Sequence, residues 1–320
     1  MNAVPDGLAA APRVSVVMPA HDAEAWIDES VRSVLGQTMV DLELVVVDDG
    51  STDGTRERLA AIDDPRLRVI RLEPNRGVVA ARNAGVAAAR GRFIALLDAD
   101  DIAAPERLQR QLERLERGDA DLCGTGHVVW HTATGRRKPG RQHLRDVDLR
   151  ALLTVYSPLC NSSVMARAEV FKAHPYDERF RYAEDYELWV RLAEAGCRFA
   201  ACPQRLVTYR VHPRQMSTAH QHRLEAAFAA ARERYVVSLG LDREALPRRM
   251  PWRQRLRIGP ALLAELNARL GPVSLRANYE IYARYQYRGN GAWTPLTRLE
   301  RLLAALWGRW RGAWLRSRRG

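Results

Sequence analysis

The sequence RFIALLDADD, residues 92 to 101, contains the pattern that decides the fold. Phe93 to Leu97 is an apolar run with the length and composition of a buried β-strand. Three carboxylates follow it closely, at Asp98, Asp100 and Asp101. Carboxylates at the end of a buried strand are costly unless a positive partner binds them. The segment therefore predicts a cation, or a ligand that brings one, at this strand end.

Strand and helix signals alternate along the first 125 residues around this segment. Apolar runs predict three further strands, each followed by helical periodicity, over residues 13–19, 42–49 and 66–72. Such alternation is typical of an α/β fold whose parallel strands are joined by helical crossovers. Ligands of such sheets bind at the carboxyl ends of the strands. We therefore expect Asp48 and Asp49, which end the second strand, to lie at the same edge as the acids after residue 97.

The pattern loosens after residue 125. Residues 134–143 read as an exposed polar loop, and residues 161–174 as a short strand followed by a helix. An amphipathic helix is predicted over 184–196, a strand over 205–212 that ends in His212, and helices from about residue 217.

Length and composition fit a cytoplasmic protein of one or two domains, with 320 residues and 47% apolar content. The four cysteines show no metal-ligand spacing, so reduced thiols are expected. No secretion signal is visible, and no run approaches the roughly 18 apolar residues of a membrane span. The net charge of +12 lies entirely in residues 241–320, which hold 17 Arg and 5 acidic residues, because the earlier charges cancel.

The D-x-D pattern of Asp98 and Asp100 permits two interpretations. Carboxylate oxygens suit Mg²⁺ or Mn²⁺, which use few protein ligands and complete their shell with water and phosphate oxygens. A metal-bound diphosphate would then be the positive partner. Alternatively, Asp100 or Asp101 caps the helix that begins near Pro105.

Four segments of the chain, taken together, resemble a family 2 glycosyltransferase with the GT-A fold. In chain order they are VSVVMPAHDAEAWIDESVRSVLGQT, LELVVVDDGSTDGT, NRGVVAARNAGVAAARGRFIALLDADD and YAEDYELWVRLAEAG. The resemblance covers roughly residues 13 to 215. It implies a Rossmann-like, mostly parallel sheet flanked by helices, followed here by a helical C-terminal extension. It also implies a nucleotide-diphosphate-sugar donor, most often a UDP-sugar, a divalent metal, and hexosyl transfer with inversion.

The resemblance divides the chain into four parts. They are an N-terminal tail (1–12), a nucleotide-sugar-binding half (13–125), an acceptor-binding and catalytic half (126–216) and a basic helical region (217–320). It assigns Asp185 as the catalytic base and Asp98, Asp100 and His212 to the metal. The residues it places near the donor are Pro19, Ala20, Asp48, Asp49, Arg82 and Asp98.

Several of these residues also have a simpler interpretation. Asp185 and its neighbour Glu184 could only complement a helix dipole. His212 could be an ordinary strand-end histidine, and Arg82 a solvated helix residue. The Asp48–Asp49 stretch could be a turn before a capped helix.

The C-terminal segment 296–320 repeats apolar residues at helical spacing among arginines. Basic helices with Trp suit the surface of an anionic bilayer, so we expect peripheral contact with the inner face of the plasma membrane. The alternative is a helix that packs back on the protein with a solvated Arg face. No nucleic-acid partner is expected, because residues 1–240 are neutral and carry no such motif.

The predicted activity is sugar transfer to the hydroxyl of a glycan or lipid-linked glycan, in cell-surface polysaccharide or glycolipid synthesis. A sugar nucleotidyltransferase is one rival, but it needs a Gly-rich phosphate loop after its first strand. The corresponding stretch here, PAHDAEAW, has no glycine. A non-catalytic nucleotide-sugar-binding module is the other rival.

Overall fold

The computed structural model describes residues 11–213, 215, 221–241, 252–286 and 295–317. Its strands are β1 (Val14–Ala20), β2 (Leu42–Asp49), β3 (Leu67–Leu72), β4 (Phe93–Leu96), β5 (Ile102–Ala103), β6 (Leu122–His131), β7 (Arg136–Pro139), β8 (Met165–Arg167) and β9 (Phe199–Val211). Its α-helices are α1 (Ile27–Leu35), α2 (Thr55–Ala60), α3 (Val78–Ala88), α4 (Arg107–Glu116), α5 (Asp146–Leu152), α6 (Ala168–Ala173), α7 (Glu184–Glu194), α8 (Gln221–Ser238), α9 (Trp252–Leu270), α10 (Leu275–Gln286) and α11 (Pro295–Ser317).

These elements form two compact units, each built from separate stretches of the chain. The first unit contains the described residues of Met1–Gly140, Cys160–Arg181 and Cys202–Pro213. The second contains those of Arg141–Leu159, Tyr182–Ala201 and Arg214–Gly320. The four-part division predicted from the sequence separates donor, acceptor and basic regions by function, and it stays a prediction.

The first unit holds a sheet with the strand order β3-β2-β1-β4-β8-β6-β9-β5, and β7 pairs with β6. β3, β2, β1 and β4 are all parallel to one another. Both β1 and β2 are buried along almost their whole length, which explains their unbroken apolar runs. The predicted α/β class and its parallel strands are confirmed, and antiparallel pairs such as β4–β8 and β6–β8 complete the sheet.

The stretch predicted as a polar loop over residues 134–143 is partly a strand. β7 pairs antiparallel with β6, from Val128 opposite Pro139 to His131 opposite Arg136. All four residues of β7 are exposed, as predicted, so the strand has no buried apolar alternation. Charged edge strands of this kind protect a sheet from pairing with other chains. Their sequence therefore looks like a loop.

Helix α3 lies unusually close to the parallel strands because of Gly85. A Cβ atom at this position would overlap Cγ1 of Val17 on β1 and come within 3.2 Å of Cγ2 of Val47 on β2. Both valines are fully buried and cannot move aside freely. The glycine thus sets the distance between α3 and the sheet, and α3 carries Arg82 toward the acids.

We expect Gly85→Ala to lower the free energy of unfolding by about 1–3 kcal/mol, because the added methyl overpacks the core. At a solvent-exposed position of a helix the same change would stabilise the protein by about 1 kcal/mol. Urea unfolding measures the difference. Ala87→Gly, at an exposed position of the same helix, is the control and should cost only about 0.5–1 kcal/mol. A gain in stability for Gly85→Ala would contradict the packing.

The second unit is mainly helical and has its own apolar core. That core combines residues of α5, α8, α9, α10 and α11, among them Leu152, Val236, Leu263, Leu266, Ile281 and Ala304. At its edge Glu280 on α10 accepts a hydrogen bond from Tyr156 (3.0 Å) and contacts His143 (3.2 Å). The predicted helical C-terminal extension is therefore present. Within the described ranges, none of the helices is both long enough and apolar enough to cross a bilayer.

Candidate active site

Most predicted site residues of the first unit lie at or just after the carboxyl ends of three adjacent strands, whereas Arg82 is on α3 and His212 follows β9. β1 lies between β2 and β4 and ends with Pro19 and Ala20, and Ala20 pairs with Asp48 of β2. The N–H of Leu97 bonds to the carbonyl of Val17, so the chain after β4 continues alongside the end of β1. Two strand spacings, about 10 Å, separate the ends of β2 and β4. The structure thus brings both acidic groups to one edge, as predicted.

Asp48 and Asp49 are buried and hold the two loops that border this edge. Asp48 accepts the N–H of Ser51 (3.0 Å) and the Nε–H of Arg56 (2.9 Å). Asp49 accepts the N–H groups of Arg76 and Gly77, both at 2.7 Å. Their first role is therefore structural, which the sequence did not reveal. The predicted contact with the nucleotide base stays a prediction.

Arg82 is a buried partner of the D-x-D motif and not a solvated helix residue. Its side chain is only 7% exposed, and Nη2 lies 2.8 Å from Oδ1 of Asp98. The side-chain amide of Asn161 donates to the same oxygen at 3.3 Å, and the backbone N–H of Asp98 donates to Oγ of Ser162. The guanidinium also lies over the ring of Tyr176, 5.5 Å from its centroid. Asp98 is consequently fixed by a cation that the chain itself supplies.

Asp100 has a partner of its own in the imidazole of His212, which follows β9. Nε2 of the histidine lies 2.9 Å from Oδ2 of Asp100. The imidazole packs against the indole of Trp26, with ring centroids 5.3 Å apart. The predicted proximity of His212 to the D-x-D motif is therefore observed. Its contact with a metal stays a prediction.

Arg210 also contacts the residues around Asp100, and no pattern in the sequence indicated this role. The side chain is fully buried and donates to the backbone carbonyl of Asp100 at 2.7 Å. Its guanidinium pairs with Glu29 of α1 and lies over the rings of Trp26 and Trp130. Arg210 lies 110 residues from Asp100 in the chain, so only the folded structure brings them together.

Asp101, the third acid of the opening segment, anchors the loop from inside the protein. It is completely buried and accepts the N–H of Arg210 at 2.9 Å. Burial, and then the charges of Asp100 and Asp98, raise the pKa of Asp101 well above its usual range. The capping alternative for Asp100 or Asp101 is wrong, because α4 begins after Glu106 and has no side-chain cap.

The donor set of the D-x-D motif fits a divalent ion that shares its ligands with a diphosphate. Asp98 and Asp100 present carboxylate oxygens and remain about a quarter exposed, at 25% and 26%. Among the described residues, no three or more His, Cys, Asp or Glu side chains form a complete metal cage. Mg²⁺ commonly binds through only one or two carboxylates and takes its other ligands from water and phosphates. The motif therefore fits a metal that arrives with the donor.

Asp185 lies in the second unit, in the first turn of α7. It is half-buried, and its Oδ1 accepts the N–H of Tyr186 at 2.6 Å. Its neighbours in the same turn differ in burial: Glu184 is buried, and Glu187 is fully buried between Arg191 and Arg234. Asp185 is thus the most accessible of the three acids at the start of this helix, which suits a group that must reach a substrate.

The fold and the acidic strand edge define the GT-A class. Comparisons with known proteins identify the family within that class. The glycosyl transferase family 2 model matches residues 15–174. A glycosyltransferase of Haemophilus influenzae is 32% identical over 72% of this chain and 76% of its own length. The chain therefore belongs to glycosyl transferase family 2.

Other relatives have more specific names. The succinoglycan biosynthesis protein ExoO of Rhizobium meliloti is 34% identical over 74% of this chain and 72% of its own. UDP-Glc:alpha-D-GlcNAc-diphosphoundecaprenol beta-1,3-glucosyltransferase WfgD of Escherichia coli is 31% identical over 56% of this chain and 69% of its own. Solved S. aureus TarS 1–349 in complex with UDP-GlcNAc shares the fold, with a TM-score of 0.60 and 18% identity over 95% of this chain and 92% of that one.

Proposed function

We propose that the chain is a metal-dependent, inverting hexosyltransferase. It moves a sugar from a nucleotide-diphosphate-sugar, foremost a UDP-sugar, to a hydroxyl group of a glycan or lipid-linked glycan. The observation that carries the proposal is the state of the D-x-D motif. Asp98 and Asp100 lie at the carboxyl edge of the parallel strands and remain partly exposed, and they contact Arg82 and His212 respectively.

The names of similar proteins support this choice of substrates. TarS has been solved with UDP and with UDP-GlcNAc, which supports a uridine donor. ExoO is named for succinoglycan biosynthesis, and WfgD for glucosyl transfer to a sugar on diphosphoundecaprenol. We therefore propose cell-surface polysaccharide or glycolipid synthesis as the pathway class, and a peripheral location at the inner face of the plasma membrane, where a lipid-linked acceptor is available.

The proposed reaction is a single displacement. The acceptor oxygen forms a bond to the anomeric carbon while the bond from that carbon to the diphosphate oxygen breaks, and the configuration inverts. Asp185 takes the proton of the acceptor hydroxyl, as a general base. The nucleoside diphosphate leaves with the bonding electrons and carries the negative charge.

Asp98 and Asp100 are the carboxylates that would hold Mg²⁺ or Mn²⁺ together with phosphates of the donor, and we propose His212, which contacts Asp100, as a further ligand. Such an ion, when bound, supplies Lewis-acid stabilisation of the leaving diphosphate. Arg82 and Arg210 orient the carboxylates: Arg82 pairs with Asp98 directly, and Arg210 binds the backbone at Asp100. Fixed dipoles and charges of this kind cost no reorganisation during the reaction.

A donor screen tests the proposal. Purified protein is incubated with UDP-, TDP- and GDP-sugars, with Mn²⁺ or with EDTA, and release of the nucleoside diphosphate to water is measured. We expect slow release from one base class, only with the metal. Thermal shift with the nucleoside diphosphate and Mn²⁺ is measured in parallel, because a ligand that binds only the folded state raises the melting temperature.

The screen also separates the rival functions. Stabilisation without release from any donor, even when acceptor glycans are added, favours the non-catalytic binding module. Absence of both stabilisation and release would overturn the donor site. Equal release with Mn²⁺ and EDTA would remove the metal from the proposal and leave the transfer reaction in place.

A further inference from the structure

Helix α11 packs on the second unit through its smallest residues. Ala304, Ala305, Gly308 and Gly312 are buried. A Cβ atom on Gly308 would overlap the side chain of Leu263 on α9, and one on Gly312 would come within 2.9 Å of the carbonyl oxygen of Ala264. The two helices therefore touch backbone to backbone, and only this face of α11 can form the contact.

The opposite face of α11 consists of large apolar side chains that remain in contact with solvent. The exposed fractions are 39% for Leu302, 46% for Leu306, 43% for Trp307 and 67% for Trp310. The described part of the chain exposes eight large apolar side chains, and these four fall within nine residues. With about 100° between successive helical residues, they cover an arc of roughly 140°. Scattered apolar residues need no explanation, but a contiguous patch marks an interaction surface.

Arginines border this apolar arc on both sides. By the same helical geometry, Arg309 lies just beyond one limit of the arc and Arg311 just beyond the other. Arg309 is exposed, and the guanidinium of Arg311 lies over the ring of Trp314 at 3.9 Å from its centroid. Long cationic side chains beside an apolar face can reach lipid phosphates while that face enters the bilayer. The charge of the sequence agrees, because residues 241–320 carry 17 Arg against 5 acidic residues.

We propose that this face, formed by Leu302, Leu306, Trp307 and Trp310 with Arg309 and Arg311, docks on an anionic lipid bilayer. Helix α11 then lies in the interface plane and does not cross it. A second copy of the chain fits the face less well, because two surfaces with the same positive charge would meet. Nucleic acid would use the arginines but leave the Leu and Trp side chains exposed to water.

The inference rests on the peripheral location proposed above, and it is independent of the transfer chemistry. The structure shows the packing that the alternative expected, since α11 packs on the second unit, and it places Leu and Trp side chains beside Arg309 on the exposed face. The inference also assigns the small residues to the protein contact and the large ones to the lipid.

Vesicle co-sedimentation of the full chain tests the docking face. Vesicles of phosphatidylcholine with about 30% of the anionic lipid phosphatidylglycerol are compared with vesicles of pure phosphatidylcholine. We expect binding to the anionic vesicles that weakens in high salt. Trp307→Ser/Trp310→Ser should weaken it by at least about tenfold. The matched control is Val237→Ser, which removes an apolar side chain that is 44% exposed on α8, and it should bind as wild type.

Three outcomes would overturn the docking face: no vesicle binding by wild type, equal binding by the double variant, or equal loss in the Val237→Ser control. Self-association of wild type that the double variant loses, without vesicle binding, would assign the face to a second copy. Nucleoside diphosphate release is measured on the same preparations. If the wild type releases the nucleoside diphosphate but does not bind vesicles, only the docking face is refuted. If the wild type binds vesicles but shows no release, only the proposed reaction is refuted.

Discussion

Replacing Asp185 by Asn is expected to lower sugar transfer by roughly a thousandfold, within the usual range for the loss of a general base. The amide keeps the size of the side chain and can still accept the N–H of Tyr186 through its oxygen. It cannot take a proton from the acceptor. Donor affinity should be nearly unchanged, because in the proposed reaction Asp185 acts on the acceptor and not on the diphosphate. Transfer is measured as product formed under donor saturation, and affinity by calorimetry with the nucleoside diphosphate and Mn²⁺.

The matched control is Glu184→Gln, which removes one negative charge from the same helical turn. If these acids only complemented the dipole of α7, both variants would cost a similar and modest stability, about 0.3–1 kcal/mol, with similar activity. We expect Glu184→Gln to keep most of the transfer activity. Full activity of Asp185→Asn, or a larger loss for Glu184→Gln, would contradict the assignment of the base.

Strands β1, β2 and β4 were predictable because they are parallel and buried along nearly their whole length. Such strands are nearly continuous apolar runs, and the acids that end β2 and β4 stand out against them. Strand β7 was not predictable in the same way. Its residues, Arg136 to Pro139, are all exposed on an edge, so no apolar alternation marks them.

The C-terminal helices show why an apolar pattern does not always identify the buried face. The usual rule places large apolar residues inward, and in α11 the inward residues are Gly308 and Gly312. Two helices can pack closely only where small residues meet. Whether they do so depends on the residues of the facing helix, which are not part of the local sequence. The periodicity predicted a helix correctly and could not predict its orientation.

The residues of the candidate site also differ in how far the local sequence predicts them. Residues that follow directly from a strand end, Asp98 and Asp100, were found from the sequence. The residues that fix them were not all found, because the contacts are distant in the chain: Ser162 is 64 residues from Asp98, and Arg210 is 110 from Asp100. Local sequence therefore identifies groups that could bind a ligand, and the tertiary structure identifies the groups that hold them in place.

The D-x-D motif is expected to make binding of the nucleoside diphosphate depend on Mn²⁺. Asp100→Asn should weaken binding of the nucleoside diphosphate in Mn²⁺ by at least about tenfold, which corresponds to about 1.4 kcal/mol. The remaining affinity should no longer respond to EDTA. The substitution removes the charge that a divalent ion needs, while the amide oxygen can still contact His212. Calorimetric titrations with and without EDTA measure both effects. Asp119→Asn, an exposed aspartate paired with Arg114, is the control and should bind as wild type.

Loss of binding in Asp100→Asn should not come from unfolding. Asp100 lies next to the buried Asp101, and its charge helps to raise the pKa of Asp101 above the usual range, after the larger effect of burial. Removing that charge relieves this repulsion and also weakens an attraction to the buried Arg210, so the melting temperature without ligand should change little. Binding sites commonly keep such unfavourable charges because the ligand needs them. A variant that binds normally and ignores EDTA would show that Asp100 serves only to hold His212, and the metal would have to be removed from the proposed mechanism.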